Sequence, residues 1–195
     1  MGFSLFLLVL FYLFISYSSV ARITGFLIGL WAFYFFDHAF DLKFEVQHYM
    51  VIVAMLFFGI LLAPLYFISS GYDKVLHFVM PILGGFVLFY IIDKERLSFK
   101  WKLFITFMFV ISFLAIHEIG EYLIDQIWDF KLQGVYVRDI SGLEKFNLVQ
   151  SKIDDTMIDM ILGVIGALTF VVGKCVAFRF KVRHKKKFKR RVKKR

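Results

Sequence analysis

IDDTMIDMILGVIGALTFVVGKCVAFRFKVRHKKKFKRRVKKR, residues 153–195, decides what kind of protein this is. Residues 156–178 carry Asp159 one turn in and are otherwise almost wholly apolar, and about 20 such residues cross some 30 Å of hydrocarbon as helix. Residues 179–195 then hold 12 of the chain's 24 Lys and Arg and no acid. An apolar span running into a polybasic tail is the pattern of a membrane helix whose tail stays in the cytoplasm.

Working outward, residues 3–20, 49–68, 75–92 and 103–124 are also long enough to span, and helix is the open-ended form that satisfies every backbone group in lipid. Residues 23–36 form a shorter run separated from the first by Ser18, Ser19 and Arg22. One helix over 3–36 would be about 50 Å long, so a tight helical hairpin is expected there. Composition agrees: 60% hydrophobic residues, 27 Phe and a mean hydropathy of +0.74 exceed what a soluble domain can bury. With two Pro and no linker-like stretch, the expectation is an all-α polytopic transmembrane bundle of about six spans. Residues 1–178 make one membrane-embedded domain and 179–195 a basic cytoplasmic tail. The N-terminus lacks the basic region and small-residue cleavage site of a signal peptide, so it reads as a retained first span. Cys175, the single cysteine, reads as lipid-facing, with reversible acylation as the alternative.

The loop DKERLSFKWK, residues 93–102, has four basic residues and lies on the tail's side of the membrane by counting spans. The outer face of a cell membrane then receives residues 69–74 and 126–153. At that face the charges cluster. Each charge within a span costs about 2.5–3.5 kcal/mol on insertion, so each needs a reason. Asp73 and His77 stand one turn apart; His117, Glu118, Glu121 and Asp125 share an arc of about 100° on their helix; Asp155 and Asp159 open the last span, again one turn apart. Pro81, Gly84, Gly163 and Gly166 on the same stripes would let the helices approach closely.

These residues therefore converge on one outward-facing pocket. Asp73, His77, Glu118, Glu121, Asp155 and Asp159 are the candidate metal ligands. Mg²⁺, Ca²⁺ or Mn²⁺ suits a carboxylate set, and Zn²⁺ or iron a set joined by His77 and His117. Glu118, Glu121 and His77 are the candidate catalytic groups, the glutamates as acid and base and His77 as ligand or proton carrier. Blander roles compete: Asp73 and Asp155 as helix N-caps, His77 and Asp159 as interhelical hydrogen bonding. Two carboxylates one turn apart, as Glu118 and Glu121 are, repel unless something positive sits between them. His117–Glu118 begins a zinc-protease HExxH pattern, but Glu121 stands where the second histidine would be, which excludes that class. Phosphate-binding glycine loops, CxxC pairs and GxSxG are absent.

Asp37, His38, Asp41, Glu45 and His48 read as a solvated connector on the inner side. The tail is expected to attract anionic lipid headgroups, at about 1 kcal/mol per basic residue. Nucleic acid is a poor partner for it, since Phe188 is the aromatic within the densest charge run and no RNA-binding motif accompanies it.

The motifs YDKVLHF (Tyr72, Asp73, His77, Phe78), HEIGEY (Glu118, Glu121) and QSKIDDTMIDM (Gln150, Asp155, Thr156, Asp159, Met160) resemble a family of bacterial and archaeal membrane proteins represented by the YjdF inner-membrane protein. More remotely they are similar to VanZ-like proteins, which are linked to the cell envelope. The resemblance covers about residues 72–166 and implies that these acids belong to one site; it supplies no substrate. Where the family pattern has Gln-Gly-Asp, this chain has Gln150, Ser151 and Lys152, so a base replaces an acid and offers Asp155 an internal counter-charge.

Three functions suit this pattern. The first is a site, dependent on a divalent cation, that binds or modifies an envelope or lipid-headgroup ligand. The others are an ion- or proton-coupled carrier of small solutes, and a structural protein whose polar cluster holds helices together.

Overall fold

The computed structural model describes residues 17–128, 131–138 and 146–192. The elements are α1 (Tyr17–Ala39), α2 (Val46–Leu56) continued by a π-turn (Phe57–Leu61) and a 3-10 turn (Ala63–Phe67), α3 (Tyr72–Asp93), α4 (Phe99–Trp128), β1 (Val135–Arg138), β2 (Phe146–Gln150) and α5 (Lys152–Val192). Among the described residues four helices are long and apolar enough to cross a membrane: Val20–Ala39, Tyr72–Asp93, Phe99–Trp128 and Lys152–His184. A fifth apolar helix, Val46–Leu61, is shorter. The first expected span, residues 3–20, lies almost wholly outside the described residues. Ser18, Ser19 and Arg22 do not break the chain as expected, because α1 runs through all three.

Helices α3, α4 and α5 form the central packing unit. Their order along one another follows from the contacts. Lys74 meets Asp155 and Asp159, Gly166 backs onto the Phe78 carbonyl and Gly85 onto the Phe170 ring, so α3 and α5 run side by side in one direction. Helix α4 returns the other way, with Glu118 beside His77 and Leu114 against Gly163. Phe89, Leu103 and Phe170 close the opposite end, and Cys175 packs against them instead of pointing only to lipid. The glycine nearest α5 on α3 is Gly85; Gly84, expected there, faces Met55 of α2.

Trp128 and Tyr122 at one end of the bundle, and Trp31, Tyr34 and Trp101 towards the other, are all exposed, as aromatic side chains are at the two membrane–water boundaries. The long exposed apolar surface between them is what lipid covers, so no soluble core is expected of it.

Two further features depart from the sequence reading. The connector between α1 and α2 is built, not merely solvated. Asp37 accepts hydrogen bonds from the Phe44 N–H at 3.2 Å and from the Tyr49 hydroxyl. Tyr90 and Lys94 of α3 clamp the Lys43 and Leu42 carbonyls. His48 is 1% exposed, stacked on Phe86 and packed against the tilted rings of Phe44 and Tyr90, and its Nδ1 accepts the Glu45 N–H at 3.1 Å, completing a capping box on α2. His48→Ala removes both the cap and a filled aromatic contact. It is expected to cost about 3 kcal/mol, read as a lowered midpoint of thermal unfolding in detergent.

The second departure is the antiparallel pair β1–β2 within the segment read only as a long outer loop. Its strand signal was the β-branched and aromatic run Val135, Tyr136 and Val137. Helix α5 is continuous from Lys152 to Val192.

Candidate functional site

The start of α3, the last turns of α4 and the start of α5 bring the expected residues to one end of the bundle. Asp155 and Asp159 are 3% and 1% exposed, and neither could stay charged there without a partner. The partner is Lys74, which the sequence reading overlooked. Its Nζ donates to Asp155, to both oxygens of Asp159 at 2.8 and 2.7 Å, and to Asp73 at 3.1 Å. Lys152, expected to neutralise Asp155, lies instead 3.3 Å from Asp125.

Asp155 uses its second oxygen to accept the Gly134 N–H at 2.7 Å. Asp125, one turn beyond Glu121, accepts the N–H groups of Leu132 and Gln133 at 2.8 and 3.0 Å. These two acids hold the 131–136 segment over the site. They serve the backbone, which explains why Asp125 shares the helix face of the other acids without joining them. Neither Asp73 nor Asp155 is a helix cap. Gly71 precedes α3, and Ser151 caps α5, donating to Asp154 at 2.6 Å and accepting its N–H at 3.2 Å.

The other half of the cluster is built on imidazoles. His77 Nε2 lies 3.3 Å from Asp73 and its Nδ1 3.5 Å from Glu118 Oε1. His117 Nε2 lies 3.3 Å from Glu121, and the two histidine rings are 5.6 Å apart between centroids. Glu118 is 5% exposed, and its Oε1 is a buried oxygen with no hydrogen-bond donor among the described residues. A buried acceptor left in that state is costly unless something completes it.

Two groups could hold a metal ion, each with its ligand atoms within 4.8 Å of one another: His77, His117 and Glu121; and Asp73, His77 and Asp159. Lys74 already occupies both acids of the second group. In the first, imidazole and carboxylate donors suit Zn²⁺, Mn²⁺ or iron. Glu118 Oε1, 3.5 Å from His77 Nδ1, stands where a carboxylate stands behind many metal-bound histidines.

Asp73, His117 and Glu121 reach the wall of a cavity of about 370 Å³. Gly59 and Ala63 of the broken α2 extension form one side, Gly120 and Ile124 of α4 the other. Leu132, Gly134, Val135 and Tyr136 roof it. Sequence spacing found the carboxylates and His77. It could not find the roof, Lys74's partners or the cavity, because these depend on contacts between residues distant in sequence.

A family model described as "Predicted membrane protein (DUF2238)" matches residues 1–179. The chain belongs to the DUF2238 family of predicted membrane proteins. This is the YjdF family that the three motifs resemble, and membership extends the likeness well beyond residues 72–166. The VanZ-like similarity is not shown. No curated protein and no solved structure matches the chain. The protein is thus a membrane protein by family and by its apolar helices.

Proposed function

We propose that this DUF2238 protein uses His77, His117 and Glu121 to bind a divalent cation, and that the cation holds an anionic lipid-headgroup or envelope ligand in the adjoining cavity. The observation that carries the proposal is the convergence of these three side chains within 4.8 Å, with His117 and Glu121 on the cavity wall. Charge supports it. Lys74 meets Asp73, Asp155 and Asp159 with one positive charge against three, while Glu118 and Glu121 face imidazoles. A buried cluster in this state gains from a bound cation or from protons.

In this reading the chain has about six spans in the cell membrane. The site faces outward, and the basic tail lies in the cytoplasm against anionic headgroups. A bound-ligand site fits better than a carrier, since Val87, Phe89, Val110 and Leu114, further along α3 and α4, are buried apolar residues and Thr106 is the buried polar one there among the described residues of these two helices. With Glu121 bound to the cation, Glu118 is the carboxylate left beside it as an acid or base group.

Elemental analysis of purified protein, dialysed and then reloaded with Mg²⁺, Mn²⁺ or Zn²⁺, tests the proposal. Near-stoichiometric metal is expected in the wild type, with affinity at least tenfold weaker in His117→Gln and in Glu121→Gln. Equal metal content in wild type and both variants would remove the site from these residues.

A further inference from the structure

The cation reading does not say what the ligand is or how it reaches the cavity. We propose that the ligand is the phosphate group of a membrane lipid, entering sideways between the broken end of α2 and the end of α4. This rests on the cation reading for the groups that hold the phosphate, but the route stands on separate observations.

The first is the break in α2. Its helix passes into a π-turn at Phe57–Leu61 and a 3-10 turn at Ala63–Phe67, with Pro64 at the start of the latter. Irregular backbone at membrane depth is tolerated where it is buried in protein or lines a cavity, and Gly59 and Ala63 of this break line the cavity. The Tyr72 hydroxyl satisfies the Phe58 carbonyl there at 2.6 Å, so the break is supported from α3.

The second is that both walls carry a glycine at the cavity. A Cβ placed on Gly120 would meet nothing within 4 Å among the described residues, and one on Gly59 would meet only Met80 Cε at 3.8 Å. The third is depth and lining. His77 lies about 7.5 Å along α3 from Tyr72 at 1.5 Å per residue, close to where headgroups give way to acyl chains. From there Tyr66, Phe67, Ile124, Leu132 and Val135 offer apolar surface to a glycerol and the first methylenes.

Phosphate is the chemistry that fits the polar wall. A divalent cation held by two imidazoles and a carboxylate keeps open positions for anionic oxygen, and Lys131 brings a second positive charge to the cavity wall. Free phosphate would share that chemistry but would make no use of the apolar lining or the glycine-walled gap.

The test uses full-length protein in phosphatidylcholine nanodiscs, loaded with Mn²⁺. Dihexanoyl phosphatidic acid and inorganic phosphate are the two probes, followed by calorimetry and by Mn²⁺-induced broadening of ³¹P resonances. Gly120→Leu fills the gap from α4, and Ala63→Leu fills it from the opposite wall should the first variant fold poorly. The expected result is at least tenfold weaker binding of the lipid probe in a gap-filled variant, with Mn²⁺ affinity within twofold of wild type. Unchanged lipid affinity in the variants overturns the proposal. So does wild-type binding of inorganic phosphate in preference to the lipid. Failure of the wild type to bind Mn²⁺ defeats the cation reading by itself, whereas lipid binding that is Mn²⁺-independent yet blocked by Gly120→Leu would retain the lateral route.

Discussion

Lys74→Met is expected to lower stability by about 3–5 kcal/mol, because it leaves buried carboxylates without their counter-charge. Asp155 and Asp159 expose only 4% and 2% of their side chains, and Lys74 is the cation that contacts both. Methionine preserves the length and apolar stem, so a loss of this size isolates the charge. The measurement is thermal unfolding in detergent followed by tryptophan fluorescence. Adding Asp159→Asn to Lys74→Met should recover part of the loss by removing one unpaired charge. A Lys74→Met protein as stable as wild type would mean that the acids are neutralised by some other means.

Gly166→Ala is expected to cost about 3 kcal/mol, at the upper end for overpacking, because its new Cβ would fall on the Phe78 carbonyl oxygen of α3. Backbone cannot rotate aside as a side chain does, so α3 and α5 must separate. Their separation would also pull Lys74 from Asp159, linking this packing contact to the polar cluster. Gly84→Ala is the control, since its Cβ would meet only Met55 Cε at 4.0 Å. It should change the unfolding midpoint little. Equal midpoints for the two variants would show that the close approach of α3 and α5 is not under steric control.

The parts of this architecture that were legible in sequence are those governed by one helix at a time. Hydropathy over about 20 residues locates α3, α4 and the membrane part of α5, and spacing by four puts Asp73 with His77 and Asp155 with Asp159 on common faces. The common depth of these groups followed from the alternation of spans. What could not be read was pairing between helices. Lys74 is 81 and 85 residues from the aspartates it binds, and nothing local distinguishes it from a lysine at a helix start. Asp125 stands four residues beyond Glu121 on the same helix face, yet a tight loop at 131–134 claims its oxygens. That loop contains positive φ at Lys131 and Gly134, 57° and 88°, and of the two only the glycine signals such a turn. His48 sits among charged neighbours in sequence but among aromatic rings in space, which reverses its expected exposure.

Whether two imidazoles and Glu121 hold a cation together can be measured directly. Pulsed electron paramagnetic resonance of the Mn²⁺-loaded protein reports nitrogen ligands directly, through modulation of the electron echo by ¹⁴N. The expected result is modulation from two imidazole nitrogens in the wild type, from one in His117→Gln, and loss of bound Mn²⁺ when His77→Gln is combined with Glu121→Gln. Bound Mn²⁺ with an all-oxygen spectrum, or one unchanged by His117→Gln, would contradict the site as described.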